Sequence, residues 1–195
     1  ENKWGTPQNA PPVIATQSDL TIAEDGTSTA TLTATDANDD AITYSAVSDT
    51  NAVTVSVSSS TLTLTPNANW HGVANIKAYA SDGSYKDSTS FKLTVTTVND
   101  APVITAIADD LTNEETEKVI VVGASDIDGD ALTYTASSDT SGVAVTVSTD
   151  TLKLTPALNY TGTSVITVIV SDNALTDTTK FDFKVINVND APVIA

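Results

Sequence analysis

Asp126, Asp128 and Asp130 alternate along one short stretch, Glu24 adjoins Asp25, and Asn99 stands beside Asp100. Carboxylate and amide oxygens are hard ligands, suited to a divalent cation such as calcium, which takes roughly six to eight of them. Zinc would lack its usual partners, because the chain has no Cys and a single His. That residue, His71, is matched in the second half of the chain by Thr161 and reads as a solvated loop residue. No Gly-rich phosphate loop, nucleophile elbow or pair of carboxylates in an apolar cleft can be found, so the chain reads as a non-enzyme. With 25 Asp and Glu against 8 Lys and Arg the formal charge is -17. Such a charge repels nucleic acid and anionic lipid and attracts small cations, so neither nucleic acid binding nor direct membrane insertion is expected.

The acids are placed by a repeat. Val98-Asn99-Asp100-Ala101-Pro102-Val103-Ile104 returns as Val188-Asn189-Asp190-Ala191-Pro192-Val193-Ile194, and a worn copy opens the chain as Gln8-Asn9-Ala10-Pro11-Pro12-Val13-Ile14. Between these joints the sequence aligns with itself without a gap over about 90 residues, roughly two positions in five being identical. The expected division is an N-terminal tail at 1–8, a first repeat at 9–100, a second at 101–190 and the start of a further linker at 191–195. The chain reads as a fragment, with export signal and anchor elsewhere.

Period-two alternation in short Thr-, Val- and Ser-rich runs predicts strands throughout and supports no helix. The first strand is expected over about residues 13–22. The second carries Ala30, Leu32 and Ala34, and the third carries Ile42 and Tyr44 on opposite faces. Val53, Val55 and Val57 follow, then Leu62 and Leu64, then Ile76, Ala78 and Ala80, and last Phe91, Leu93 and Val95. Seven strands per repeat predict an all-β chain of two tandem seven-stranded Greek-key β-sandwiches. Val168 and Val170 replace Ala78 and Ala80, so the second sandwich is expected to be the more stable. Trp70 and Tyr160 read as aromatic plugs at one end of each sandwich, and Tyr85 as an exposed contact residue.

If successive strands reverse, the turns after the first, third and fifth strands share one end of a sandwich, and the others share the opposite end. Glu24 and Asp25 lie in the first turn, beside the end of the seventh strand, where Asn99 and Asp100 begin the joint. Asp126, Asp128 and Asp130 lie in the turn after the second strand of the next repeat and Asp172 in the turn after its sixth, facing the same joint. Carboxylates about 5 Å apart repel by several tenths of a kcal/mol even in water. Turn chemistry alone accounts for any single Asp, but a matched set converging on one joint calls for a cation, and the oxygen ligands favour calcium.

These residues resemble the cadherin repeat, and more closely the bacterial cadherin-like tandem repeats of large secreted adhesins. The matching pieces are Ala23-Glu24-Asp25-Gly26, Thr35-Asp36-Ala37-Asn38, Ala80-Ser81-Asp82-Gly83 and Val98-Asn99-Asp100-Ala101-Pro102, with Glu114-Glu115, Asp126-Ile127-Asp128-Gly129-Asp130 and Ser171-Asp172-Asn173 in the second copy. The resemblance implies a cadherin- or immunoglobulin-like fold and a calcium-binding linker using Glu24, Asn99, Asp100, Asp126, Asp128 and Asp172, with Asp25 and Asp130 as weaker candidates. It leaves Asn9, Asp36 and Asp82 as a depleted set at the N-terminal joint, and Glu114, Asn189 and Asp190 at the C-terminal one. Where cadherins carry an acidic segment before the sixth strand, this chain has Asn67-Ala68-Asn69-Trp70-His71, so one or two ions per joint are expected. The implied role is an extracellular spacer of a bacterial surface adhesin, its partners being neighbouring repeats. The alternative is a carbohydrate- or peptide-binding module, with a cell-surface glycan or protein as ligand.

Overall fold

The computed structural model describes residues 8–189 and 191. The tail at 1–7, with Trp4, and the residues Asp190 and 192–195 of the last joint lie outside the described residues. The chain divides into two compact units between Val98 and Asn99. In the first, the strands are β1 (Val13–Ile14), β2 (Leu20–Ala23), β3 (Ser28–Thr31), β4 (Ala34–Thr35), β5 (Thr43–Ser48), β6 (Val53–Ser58), β7 (Thr61–Pro66), β8 (Gly72–Ser81) and β9 (Lys86–Thr96). The second repeats them as β10 (Val103–Ile104), β11 (Asp110–Asn113), β12 (Lys118–Val121), β13 (Ala124–Ser125), β14 (Thr133–Ser138), β15 (Val143–Ser148), β16 (Thr151–Pro156), β17 (Gly162–Ser171) and β18 (Thr176–Ile186). No helix is found among the described residues, so none is long and apolar enough to cross a membrane.

Each unit is an all-β sandwich. In the first, a four-stranded sheet ordered β2-β9-β8-β5 faces a three-stranded sheet ordered β3-β7-β6, and the second has the same order at β11-β18-β17-β14 and β12-β16-β15. The alternation that predicted the strands fills the space between the sheets. Along β8, Ala74, Ile76, Ala78 and Ala80 are fully buried while Val73, Asn75 and Lys77 are exposed. Leu62, Leu64, Phe91, Leu93 and Val95 belong to that core, with Ile14, Leu32 and Val53.

The first strand differs from its expected course. It is broken: β1 pairs antiparallel with β4, whereas β2 pairs parallel with β9, aligning Leu20 with Leu93 and Ile22 with Val95. Alternation marks which side chains face inward, not which sheet the backbone bonds to, so a strand that changes sheets reads as one run. The expectation that Ile42 and Tyr44 face opposite ways is also corrected. Residues two apart on a strand share a face, and both pack against the core.

Val168 and Val170 do enlarge the second core, but other positions offset them. Where the first unit packs Leu20 and Ile22, the second has Asp110 and a buried Thr112 whose hydroxyl donates to the Thr116 carbonyl at 3.1 Å, and Leu111 is turned out to solvent. The aromatic plugs, Trp70 and Tyr160, pack against their cores. Tyr160 also lies over Gly142, where a Cβ would meet its ring at 2.1 Å. The first unit has Ala52 at that place, so Ala52–Trp70 and Gly142–Tyr160 are alternative packings of one site. Gly142→Ala should therefore destabilise the second unit by about 1–3 kcal/mol, read as a drop in its melting midpoint, because the Tyr160 ring would also have to leave its 3.1 Å hydrogen bond with Ser164.

Candidate metal centre

In the second unit the loop between β13 and β14 is organised by Asp126. Its Oδ1 accepts the N–H groups of Asp128 (2.9 Å) and Asp130 (3.3 Å), an arrangement that Asp favours because its short side chain can bond its own following backbone. Gly129 takes the left-handed conformation this loop requires, with φ 78. The turn between β17 and β18 is built the same way around Asp172, whose Oδ1 accepts from Leu175 (2.6 Å) and Ala174 (2.7 Å). The segment before β10 closes on both: the Asn99 amide donates to Asp172 Oδ2 at 2.8 Å, and the Asp100 N–H donates to Asp128 Oδ2 at 2.8 Å. Asn99, Asp100, Asp126, Asp128, Asp130 and Asp172 therefore belong to one neighbourhood.

Oxygens of Asp126, Asp128 and Asp130 lie within 4.8 Å of one another. Asp126 Oδ2 is shielded from solvent and has no hydrogen-bond donor. A charged oxygen in that state costs more than an ordinary unsatisfied group, and a hard cation of calcium's coordination habit fits the donor set on that observation. Asp172, only 7% exposed, is held below the ordinary carboxylate range by the Leu175 N–H first, then by the Asn99 amide and the Ala174 N–H.

The first unit carries the counterpart. Asp36 Oδ1 accepts from Asn38 (2.8 Å) and Asp40 (3.3 Å), Asn9 donates to Asp82 Oδ2 at 3.1 Å, and Asn38 Oδ1 accepts the Ala10 N–H at 2.7 Å. Oxygens of Asp36, Asp40 and Asp82 lie within 4.8 Å of one another, and Asn9 Oδ1 and Asp36 Oδ2 are buried without partners. Asp82 is lowered by the Tyr85 N–H above all, helped by Ser84 and the Asn9 amide. The set read as depleted thus gains Asp40, which sequence reasoning missed. Its signal was the match to Asp130, already a candidate in the other copy.

Glu24 and Glu114 do not stand free in their turns. Each is 5% exposed. Glu24 Oε1 accepts the Val98 N–H at 2.6 Å, and Glu114 Oε1 accepts the Val188 N–H at 2.7 Å and the Asn187 amide at 2.8 Å. Each glutamate thereby fixes the point where the chain leaves its own sandwich. Asp25, by contrast, accepts the Asn69 N–H at 3.0 Å from a left-handed turn with φ 60, a structural use of its carboxylate. His71, read as a solvated loop residue, has its Nδ1 3.8 Å from Glu24 Oε2. Asn189 follows Val188, and Asp190 lies outside the described residues.

Other carboxylates hold the sandwiches themselves. Asp49 is lowered by the side chain and then the backbone N–H of Asn75, and Asp177 by the backbone N–H groups of Ile104 and Thr178. A carboxyl whose folded pKa lies below its unfolded value of 3.8 contributes stability above that value and loses it as pH falls through the folded pKa. Calcium-free protein should accordingly keep a constant melting midpoint from about pH 7 to 5 and lose stability below about pH 4. Melting curves across that range check the sign, and a midpoint that rises on acidification would refute it.

A two-layer sandwich whose first strand passes between sheets and runs parallel to the last defines an immunoglobulin-like module, here present twice. A family model described as the bacterial Ig domain matches residues 9–96 and again 99–184, and the chain belongs to that family. Among solved structures it is similar to human protocadherin-24 EC1-2, at 17% identity over 91% of this chain and 100% of that one, with a TM-score of 0.56. The human desmocollin-1 ectodomain gives 12% identity over 94% and 42%, with a TM-score of 0.53. An endo-fucoidan hydrolase of glycoside hydrolase family 107 gives 22% identity and a TM-score of 0.40, the match covering 96% of this chain and 30% of the hydrolase. At these identities the likeness is one of fold. No curated protein matches the chain.

Proposed function

We propose that the chain is a calcium-stiffened, non-catalytic spacer of a bacterial surface or secreted adhesin, acting outside the cell. The observation that supports it most is the donor-less buried oxygen of Asp126 among the oxygens of neighbouring acidic side chains. In the second unit the Asn99 amide oxygen and the carboxylates of Asp100, Asp126, Asp128, Asp130 and Asp172 would hold the ion. Glu24 is the candidate ligand from the first unit, since it is bonded to Val98, the residue before Asn99. The first unit's Asn9, Asp36, Asp40 and Asp82 would serve the joint before it. Bound calcium would supply charge neutralisation. The chain's own part is to supply the oxygens, and Pro102, buried and with fixed φ, restricts the backbone of Ala101 before it. An array asks little more of each repeat than a sandwich and a stiff joint.

Extracellular calcium modules bind with Kd of roughly 10⁻⁴ to 10⁻³ M. At about ten times Kd, one site adds about 1.4 kcal/mol to the ordered joint, an elevenfold shift in a hinge population. Small-angle scattering should then show larger and more narrowly distributed dimensions with calcium than with chelator, and Asp126→Ala should abolish the difference. An unchanged profile on chelation would remove the stiffening role.

A further inference from the structure

Lysines are scarce in this chain, and in the first unit their arrangement is not that of a solubilising scatter. The described lysines of that unit, Lys77, Lys86 and Lys92, all project from the outer face of the β8–β9 pair. Lys77 Nζ and Lys86 Nζ lie 5.5 and 4.5 Å from the ring centroid of Tyr79, so one ring holds both ammonium groups. The lysine ion pairs among the described residues are Lys118 with Asp110 and Lys153 with Glu117, both in the second unit. Among the described residues Lys77 and Lys86 thus have no carboxylate in an ion pair, although acids outnumber bases threefold. The matching positions of the second unit are Thr167, Ile169 and Thr176. A sandwich of this fold needs neither the ring nor the charges.

We propose that this face binds a carboxylated polysaccharide, a polymer of uronic acid type. The two ammonium groups repel one another and are desolvated on one side by the ring, which an anion between them relieves. Around them the face is hydroxyl-lined, with Ser88 and Ser45 flanking Tyr79 on the neighbouring strands and Ser90 opposite Lys77. Sugar hydroxyls match that lining. An acidic peptide cannot add as a strand at Tyr79 itself, because β8 is already paired on both sides. Two charges suit a polymer with one carboxylate per ring, whereas a densely sulfated one would bring surplus anions against Asp19 and Asp49, which bond the backbones of Lys92 and Asn75 on the same strands.

The inference is independent of the calcium joint and is tested in chelator. Oligomannuronate is titrated into the whole chain, with neutral glucan, dextran sulfate and polyglutamate as comparisons, and dimerisation is followed by sedimentation. Oligomannuronate should bind without calcium. The triple variant Lys77→Thr, Tyr79→Ile, Lys86→Thr installs residues the second unit already accommodates, so folding is preserved, and it should weaken binding about tenfold, each ammonium contributing about three- to fivefold. Lys180→Ala should leave it unchanged. Binding that requires calcium, survives the triple exchange, or is absent would overturn the proposal. Tighter binding of dextran sulfate or polyglutamate would also overturn it, as would a dimer that the same exchange dissociates, which would assign the face to a second copy of the chain.

Discussion

Asp126→Ala should lower calcium affinity about a hundredfold or more, while Asp49→Ala, which also deletes one carboxylate, should change it less than about twofold. The contrast follows from what each oxygen does. Asp49 spends both oxygens on the backbone and amide of Asn75, leaving nothing for an ion. Asp126 uses only Oδ1 to fold its loop and keeps Oδ2 buried without a donor. Titration calorimetry separates the two variants, and equal losses would mean that the protein responds to net charge and has no specific site.

Asp126→Asn sharpens the argument, because its carbonyl oxygen can still accept the Asp128 and Asp130 N–H groups. Its amide then places a donor where the orphaned oxygen was, among the carboxylates of Asp128 and Asp130. In chelator this variant should therefore be more stable than the parent by about 1 kcal/mol, yet bind calcium as poorly as the alanine variant. Asp126→Ala, having lost the loop bonds, should be less stable than the parent under the same conditions. Opposite signs of stability with the same loss of binding are what a site strained by its missing cation would give. An ordinary turn residue would lose stability in both variants.

Much of this neighbourhood could be read from alternation and strand reversal, since those decide which turns share an end. Asp126, Asp128 and Asp172 reach Asn99 and Asp100 for that reason. Asp40 escaped because Ala10 and Asn38 stand where the other repeat has Asp100 and Asp128, and residue identity hid the equivalence. Asn38 Oδ1 holds the Ala10 backbone as Asp128 Oδ2 holds the Asp100 backbone, a task any side-chain oxygen at that place can perform. The broken first strand was invisible because burial alternates identically whichever sheet supplies the hydrogen bonds. The lysine–tyrosine face was missed for a different reason: Lys77 and Tyr79 are on one strand and Lys86 on the next, and only the register of β8 against β9 brings them around one ring. The anchoring of Glu24 on Val98 likewise depends on the parallel pairing of β2 with β9, which places the end of the first edge strand beside the end of the last.

Ile166→Ala should lower the melting midpoint of the second unit by roughly 10–30 °C in chelator while leaving the first unit's transition in place. Ile166 is fully buried on the central strand β17, opposite Phe181 on one side and Ser138 on the other. Both flanking strands fix its backbone, so the space left by the lost side chain cannot collapse. The cost of such a truncation is about 2–5 kcal/mol, a large part of the roughly 5–15 kcal/mol that holds a small domain folded. Ile169, three residues along the same strand, points outward and is 37% exposed, so Ile169→Ala should cost less than about 0.5 kcal/mol. The same residue type on one strand thus gives a contrast of at least about fourfold decided by side-chain parity alone. Calorimetry of the whole chain resolves the outcome, since each repeat has its own closed core. If Ile166→Ala pulled both transitions down together in the absence of calcium, the repeats would be one cooperative body, and a joint that needs an ion to stiffen it would lose its physical basis.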